Sequence, residues 1–537
     1  MHYLLQFSQF HPDPLINTLL ITRFFFPFEW EMLTDWDYSY SPYTDSAVIT
    51  MWESIWTSYS SIISIIFVSL YLLTLGLALP QKPKYIKFLN LVAALYILVV
   101  LYTLSFEYLA IKFTRFHHPL AVDQLWLQDS LIARNTDTIN DFTFNWYPNG
   151  SYFSNMFFII ASIAVVLMLW GISDRFYSIE NNKIEFLLLV VFIYIGSVFL
   201  LNTSDFISAL ILLECIAFSS YILVGFERKN KFSSSSGIKY LILGSVPGGF
   251  FVLGITLLYK NYGSFISYQL ENIIFDVYNH CINQRLSVVK PDPLAWNPLP
   301  SSLFADPYLY IPSLEIEYDH IFLSAYVAII LIFANLLFKL TAAPLQMWAP
   351  SVYGGAPLAS TTFLSIFSKL TIVFFSVYLY TTIFYLFSDI ANIILISCGL
   401  LSIMCGIMGA FSEKLIKRFF VYSSMGHVGF MLLGIGVAGT GLKATINYLL
   451  VYVFSAYILW FTLMYLTKKT THLTNLKGLC INHPILSFIL SIAMFSLSGI
   501  PPLAGFFVKF EIFYSILDAG YFSILLFLFI LTVFSFF

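Results

Sequence analysis

The sequence has 537 residues, of which 59% are hydrophobic and only 10% charged. About a quarter of an ordinary soluble chain is charged, so this one has too few polar groups to cover a water-facing surface and must use lipid as its solvent. A net charge of −3 also excludes a nucleic-acid binder that works through phosphate contacts.

The N-terminal extension, residues 1–58, holds a single arginine, Arg23, amid several acids. Mitochondrial transit peptides are rich in arginine and poor in acids, so no cleavable import signal is expected. Apolar runs long enough to cross a hydrocarbon core of about 30 Å then predict about thirteen spans. Three come first, at 60–79, 86–104 and 155–172, in a region 59–180 that also carries a long loop, 105–154. Region 181–380 holds five more, at 184–202, 205–226, 237–259, 322–349 and 358–380. Its inserted loop, 260–321, contains KPDPLAWNPLPSSLFADPYLYIPS, which reads as an extended surface excursion. Region 381–537 holds the last five, at 389–411, 419–438, 443–467, 485–517 and 521–537. Neither long loop carries a recognisable binding motif.

Basic residues are unevenly shared between the connections. Lys82, Lys84, Lys87, Arg175, Lys183, Arg228, Lys229, Lys231, Lys414, Lys417, Arg418, Lys468, Lys469 and Lys477 follow odd-numbered spans. Only Lys112, Arg115, Arg134, Lys260, Arg285, Lys290 and Lys443 follow even-numbered ones, together with acids such as Asp123, Asp129, Asp292, Glu315, Glu317 and Asp319. An excess of Lys and Arg marks the cytoplasmic or matrix side, so the first set lies there and the acidic N-terminal segment lies opposite. The 56 Phe and 35 Tyr resemble translation from an A+T-rich organelle genome. Cys215, Cys281, Cys398, Cys405 and Cys480 show no C-x-x-C spacing, so no metal or redox centre is expected.

The basic residues left inside spans are Lys239, Lys339, Lys369 and Lys509, joined by one central acid, Glu214, and by His427. Charges at membrane depth are costly and usually face protein or a wet cavity with a task to perform. Lys239 lies near the basic end of its span, where snorkelling to the surface serves equally well. Glu214 serves as a structural partner of a lysine as readily as a functional one. His427 is open to two uses, interhelical hydrogen bonding and proton carriage. Pro344 follows Lys339, and Pro501 and Pro502 precede Lys509. Proline removes a backbone donor, so the seventh and twelfth spans are both expected to be broken, each beside a lysine. The two lie five spans apart, an odd number, which predicts an inverted repeat of spans four to eight and nine to thirteen. The fold class is therefore an all-α polytopic membrane protein. Burial makes an ammonium easier to deprotonate and a nearby carboxylate opposes this, so Lys339 with Glu214 reads as a switchable proton site.

Five stretches carry a family resemblance: DFISALILLECIAFSSYILVGF (205–226), GIKYLILG (237–244), FKLTAAPLQMWAPSVYGGAPLASTTFLSIFSK (338–369), IKRFFVYSSMGHVGF (416–430) and FSLSGIPPLAGFFVKF (495–510). In these the chain resembles the antiporter-like membrane subunits of proton-pumping NADH:ubiquinone oxidoreductase, respiratory complex I. WAPSVYGGAP and a lysine at 509 match the mitochondrial chain 2 type; the subunit 4 type has a glutamate at the latter position. The resemblance places Glu214 on the family's fifth-helix glutamate, Lys239 on its sixth-helix lysine and Lys339 on the lysine of the broken seventh helix. Lys369 falls on the eighth-helix lysine and Lys509 on that of the broken twelfth. It implies a hydrated charged axis with Glu214 as modulating counter-ion, Lys339 as primary proton site, Lys369 as relay and Lys509 as exit-side or coupling site. Lys239 and His427 support it. Quinone reduction elsewhere would drive the protons. No cofactor is expected in this chain; FMN, iron-sulfur clusters and ubiquinone belong to partner subunits. The implied partners are other membrane-arm subunits, including neighbouring antiporter-like ones, accessory subunits and membrane lipids such as cardiolipin, with no nucleic acid. The implied location is the mitochondrial inner membrane, basic loops in the matrix, with the chain organelle-encoded.

Departures from the family pattern are specific. Pro344, Leu345 and Gln346 stand where the family reads Pro-Phe-His, and Ser351, Val352, Tyr353, Gly354 and Gly355 where it reads Asp-Val-Tyr-Glu-Gly. Ser235, Ser236 and Gly237 replace an acid-bearing run, Glu413 a glutamine and Glu511 an aromatic. The family continues past the position of Phe537 through another helix, which is either deleted here or supplied by a separate polypeptide, the second being the preferred expectation. A cation/proton antiporter subunit would share the fold and the lysines. A non-conducting membrane spacer is a third reading, and it predicts that Lys369→Met leaves pumping unchanged. A redox enzyme is disfavoured: no G-x-G-x-x-G cradle or P-loop follows a strand, and no histidine pair suggests haem.

Overall fold

The computed structural model describes residues 152–173, 183–277 apart from 268 and 276, 312–466 and 472–536, all within the unit 61–537. The readings of 1–58, of the spans at 60–79 and 86–104, and of nearly all of 105–154 lie outside the described residues. With hydrocarbon as solvent, each backbone donor and acceptor needs a partner inside the chain, which helices supply. Accordingly the described residues contain helices and only two isolated bridges, Asp205 with Ile266 and Leu415 with His472.

In chain order the helices are α1 (Tyr152–Ser173), α2 (Lys183–Asn202), α3 (Phe206–Val224), α4 (Lys231–Tyr262) and α5 (Pro312–Lys339). Next come α6 (Trp348–Gly355), α7 (Leu358–Phe363), a π turn (Leu364–Ser368), α8 (Lys369–Thr382), α9 (Ser388–Ser412), α10 (Ile416–Val437) and α11 (Thr440–Leu466). The last are α12 (Leu479–Asn482), α13 (Pro484–Ser498), α14 (Ala504–Asp518) and α15 (Phe522–Phe536). Among the described residues seven helices are long and apolar enough to cross a membrane, and four shorter apolar helices lie in α1, α5, α13 and α15. The chain is a polytopic helical membrane protein.

Several boundaries differ from the sequence reading; α5, for one, starts at Pro312, ten residues before its predicted span. α4 starts at Lys231, six residues before the predicted span, because Asn230 caps it through Phe232 N at 3.1 Å. The serine run joins the helix since its hydroxyls are satisfied there: Ser233 donates to Val224 O and Ser236 to Ser233 O, both at 2.8 Å. The loop 260–321 is not wholly extended: helix resumes after Ile266, whose N–H bonds Ser264 Oγ at 3.2 Å. Most of the proline-rich run lies outside the described residues.

Packing is concentric. In its apolar stretch 94% of the residues of the α7–π–α8 segment are buried, against 39% for those of α4 and α9 and 78% for that of α10, so it is the helix that protein surrounds most completely. Phe363 stacks on Phe367 at 5.1 Å and Phe374 meets Phe157 of α1 at 5.2 Å. α9 and α10 approach through glycine: a Cβ on Gly406 would lie 2.7 Å from Gly426 N.

Candidate functional site

Lys339 is the last residue of α5. Its Nζ donates to Leu213 O at 3.0 Å and lies 3.7 Å from Glu214 Oε1, with both side chains largely shielded. That separation is an ion pair rather than a hydrogen bond, and Glu214 Oε1 has no hydrogen-bond partner. Gly248 of α4 makes room for the carboxylate, since a Cβ there would lie 2.6 Å from Oε1.

The backbone leaves the helix directly after the lysine. Thr341 has φ +62°, a left-handed conformation costly for a branched residue, and Pro344 has no N–H to give. Trp348 Nε1 donates to Phe338 O at 3.3 Å and so ties the start of α6 to the end of α5. Several polar groups around this turn are buried without hydrogen-bond partners: Thr341 Oγ1, Gln346 Oε1 and both amide atoms of Asn335. Buried polar groups are rarely left unpaired, and water is the usual partner where space allows.

A second cluster forms around α8. The π turn ends at Ser368, so Lys369 is delivered into the core at 1% exposure. Its Nζ has no hydrogen-bond partner and lies 5.6 Å from the Tyr452 ring centroid, within cation–π range. Tyr452 donates to Ser365 O at 3.1 Å, fastening α11 to the π turn. On its other side Tyr452 packs against the His427 ring at 5.5 Å, and His427 Nδ1 is 2.8 Å from the Tyr448 hydroxyl. Phe430 stacks on Tyr448 at 5.8 Å, and Lys509 Nζ lies 5.3 Å from the Phe430 ring centroid. Lys509 also donates to Ser498 O at 2.6 Å, the last residue of α13. Gly499 beside it has φ +89°, and a Cβ there would lie 2.8 Å from Lys509 Cδ, so glycine is required on both counts. Lys369 and Lys509 both lie within electrostatic reach of His427.

Tyr353 belongs to the aromatic packing beside the Lys339 turn. It is buried, packs against Trp348 at 6.0 Å and lies within electrostatic reach of Tyr240 and Tyr452. Trp348 in turn stacks on Tyr240 at 4.6 Å, and Tyr240 meets Tyr221 at 4.6 Å. Of the six residues singled out from the sequence, Glu214 and Lys339 form one group and Lys369, His427 and Lys509 another. Lys239 lies exposed on α4, and among the described residues no hydrogen bond or ion pair joins it to the other five.

Residues 203–290 and 306–535 match the family described as NADH:quinone oxidoreductase/Mrp antiporter, transmembrane. The chain belongs to this family. NADH-quinone oxidoreductase subunit N of Paramagnetospirillum magneticum is 28% identical over 64% of this chain and 65% of its own length, so the match spans just under two thirds of that relative. NADH-ubiquinone oxidoreductase chain 2 of Oenothera berteroana is 28% identical over 69% of this chain and 68% of its own. In fold, a chain of respiratory complex I from Thermus thermophilus superposes with a TM-score of 0.59 at 23% identity, covering 88% of this chain and 87% of that one.

Within this NADH:quinone oxidoreductase/Mrp antiporter chain, the groups that the sequence reading missed are Asn335, Tyr353, Tyr448 and Tyr452. Asn335 had a usable signal, an amide in the otherwise apolar run LIFANLLFK, one helical turn before Lys339. Tyr353 had one in the family's Asp-Val-Tyr-Glu-Gly run, on whose tyrosine it falls; Tyr448 and Tyr452 had none, being two of 35 in a chain rich in aromatics.

Proposed function

We propose that the chain translocates protons as a membrane-arm subunit, of the subunit 2 type, in an NADH:quinone oxidoreductase of the mitochondrial inner membrane. The path runs from Glu214 and Lys339 through Lys369 and His427 to Lys509, with Lys239 at its margin and waters joining groups too far apart to touch. The observation that carries this reading is Lys369: an ammonium enclosed by protein with no hydrogen-bond partner, in the same cluster as His427 and a second buried lysine, Lys509. A purely structural lysine would be paired, because unpaired buried charge is strongly destabilising.

Glu214 regulates the path. At 3.7 Å its carboxylate stabilises the Lys339 ammonium, and the interaction is steep in distance and in local dielectric. Drawing Glu214 away, or admitting water between the two, changes how tightly Lys339 holds its proton. The proton then passes to Lys369, and the imidazole of His427, set between Lys369 and Lys509, carries it onward. Quinone reduction in partner subunits drives the cycle. Flavin, iron-sulfur and quinone chemistry reside there, and this chain holds no cofactor.

The interruptions after Lys339 and before Lys509 fit an inverted repeat of α2–α8 and α9–α15 within about thirteen spans. The domains are an extension at 1–58, three spans in 59–180, and two repeats at 181–380 and 381–537. The basic loops at 228–231 and 414–418 face the matrix, and accessory subunits and cardiolipin are further contacts. Lys369→Met is the test: protons moved per NADH oxidised should fall while the chain remains in its assembly. Unchanged pumping by an intact assembly refutes the role of Lys369. The family also includes Mrp antiporters, so a cation/proton antiporter subunit is the second reading; co-purification with NADH-oxidising activity separates the two.

A further inference from the structure

Glu511 lies halfway along α14, seven residues from Ala504 and seven from Asp518, or about 10 Å from either helix end at 1.5 Å per residue. It is exposed. Among the described residues its one polar contact is Asn447 of α11, whose Nδ2 donates to Glu511 Oε2 at 2.8 Å, and none of their ion pairs includes it. Lys509, two residues earlier, is turned into the core and donates to Ser498 O. The Glu511 carboxylate therefore stands on an exposed face of α14, the second half of the span read at 485–517, with one amide as its support.

Acyl chains alone do not suit this surface. A charge at such depth costs several kcal/mol, and a glutamate side chain is too short to reach water across about 10 Å of helix. Phe507 and Tyr514, exposed at 58% and 57%, stand at i−4 and i+3 and so border the carboxylate. Phe510, exposed at 58%, is three residues from Phe507 and four from Tyr514 and widens the aromatic strip on their far side. Exposed aromatic side chains of this kind are enriched in protein–protein interfaces. The sign of the charge specifies what completes this one.

We propose that this face of α14 docks a neighbouring membrane-spanning chain through a Lys or Arg that pairs with Glu511 beside Phe507 and Tyr514, with Phe510 at the edge of the contact. The inference rests on the reading of the chain as one subunit of a larger membrane complex, and adds the position and chemistry of one contact. Truncating one partner of a buried charge pair is costly, so Glu511→Gln should lower retention of the chain in its native assembly at raised detergent by at least about tenfold. Retention is expressed per chain recovered in the membrane, which separates weakened docking from failed insertion. A photoreactive benzoylphenylalanine at Phe510 should crosslink to a second polypeptide, at a segment containing Lys or Arg. Crosslinks to lipid alone, or full retention of Glu511→Gln, overturn the proposal. An assembly that shows the crosslink but oxidises no NADH counts against the proposed function and leaves this contact standing; an NADH-oxidising assembly without the crosslink does the reverse.

Discussion

Gly248 decides where Glu214 can sit. With no side chain of its own, it admits the carboxylate to the groove between α3 and α4, where Lys339 meets it. Gly248→Ala would put a methyl carbon 2.6 Å from Oε1, inside contact distance, so the carboxylate must turn away from Lys339. The expected result is slower proton translocation with the chain still assembled, approaching the effect of Glu214→Gln; the check is proton movement in sealed vesicles normalised to assembled chain. Tyr448→Phe is a second test at this scale. It removes the hydroxyl 2.8 Å from His427 Nδ1 and leaves a buried ring nitrogen unpaired, at a cost of about 1–3 kcal/mol. If His427 carries protons, translocation slows by more than the loss of folded chain accounts for; if the bond is only structural, the two fall together. The charged members of the site were legible in the sequence because a lysine or glutamate in an apolar run stands out. Their aromatic intermediaries were not, since a tyrosine packed against an ammonium and an imidazole looks in sequence like one that packs against lipid.

Helix contacts in this fold depend on what is missing from side chains as much as on what is present. α9 and α10 meet where Gly406 faces Gly426, and close approach through small residues is the usual basis of helix association in lipid. Gly406→Leu should force the pair apart and sharply reduce recovery of folded chain in mild detergent. Gly249→Ala serves as its control, because a Cβ there meets nothing within 4 Å and alanine favours the helix by about 1 kcal/mol. At the level of elements the apolar periods placed most spans closely: α2 begins one residue from its predicted start, and α10 and α11 each begin three residues early. Pro344 stands in the segment between α5 and α6, and Pro501 and Pro502 in the segment between α13 and α14. The π turn before Lys369 left no trace in LSIFS, because an extra residue in one turn arises from packing and from the Tyr452 bond to Ser365 O, not from local preference.

Across the whole molecule, the distribution of basic loops makes a topological statement that labelling can test. Lys229→Cys and Lys414→Cys should react with a membrane-impermeant maleimide from one side of a sealed vesicle, and Thr440→Cys from the other. Labelling of 414 and 440 from the same side would mean that α10 does not cross, and the order of spans would have to be redrawn. The arrangement of the helices around α7 and α8 also bears on how the chain is made. Lys369 draws its aromatic company from Tyr452, more than eighty positions later, on a helix the ribosome has not yet produced when α8 emerges. A nascent chain halted before α11 would therefore leave that ammonium beside acyl tails at a cost of several kcal/mol. Stable partition of α8 into the bilayer must wait for its successors, so the middle of the finished bundle is settled late in biogenesis, and whatever insertion machinery receives this chain has to shelter α8 in the interval.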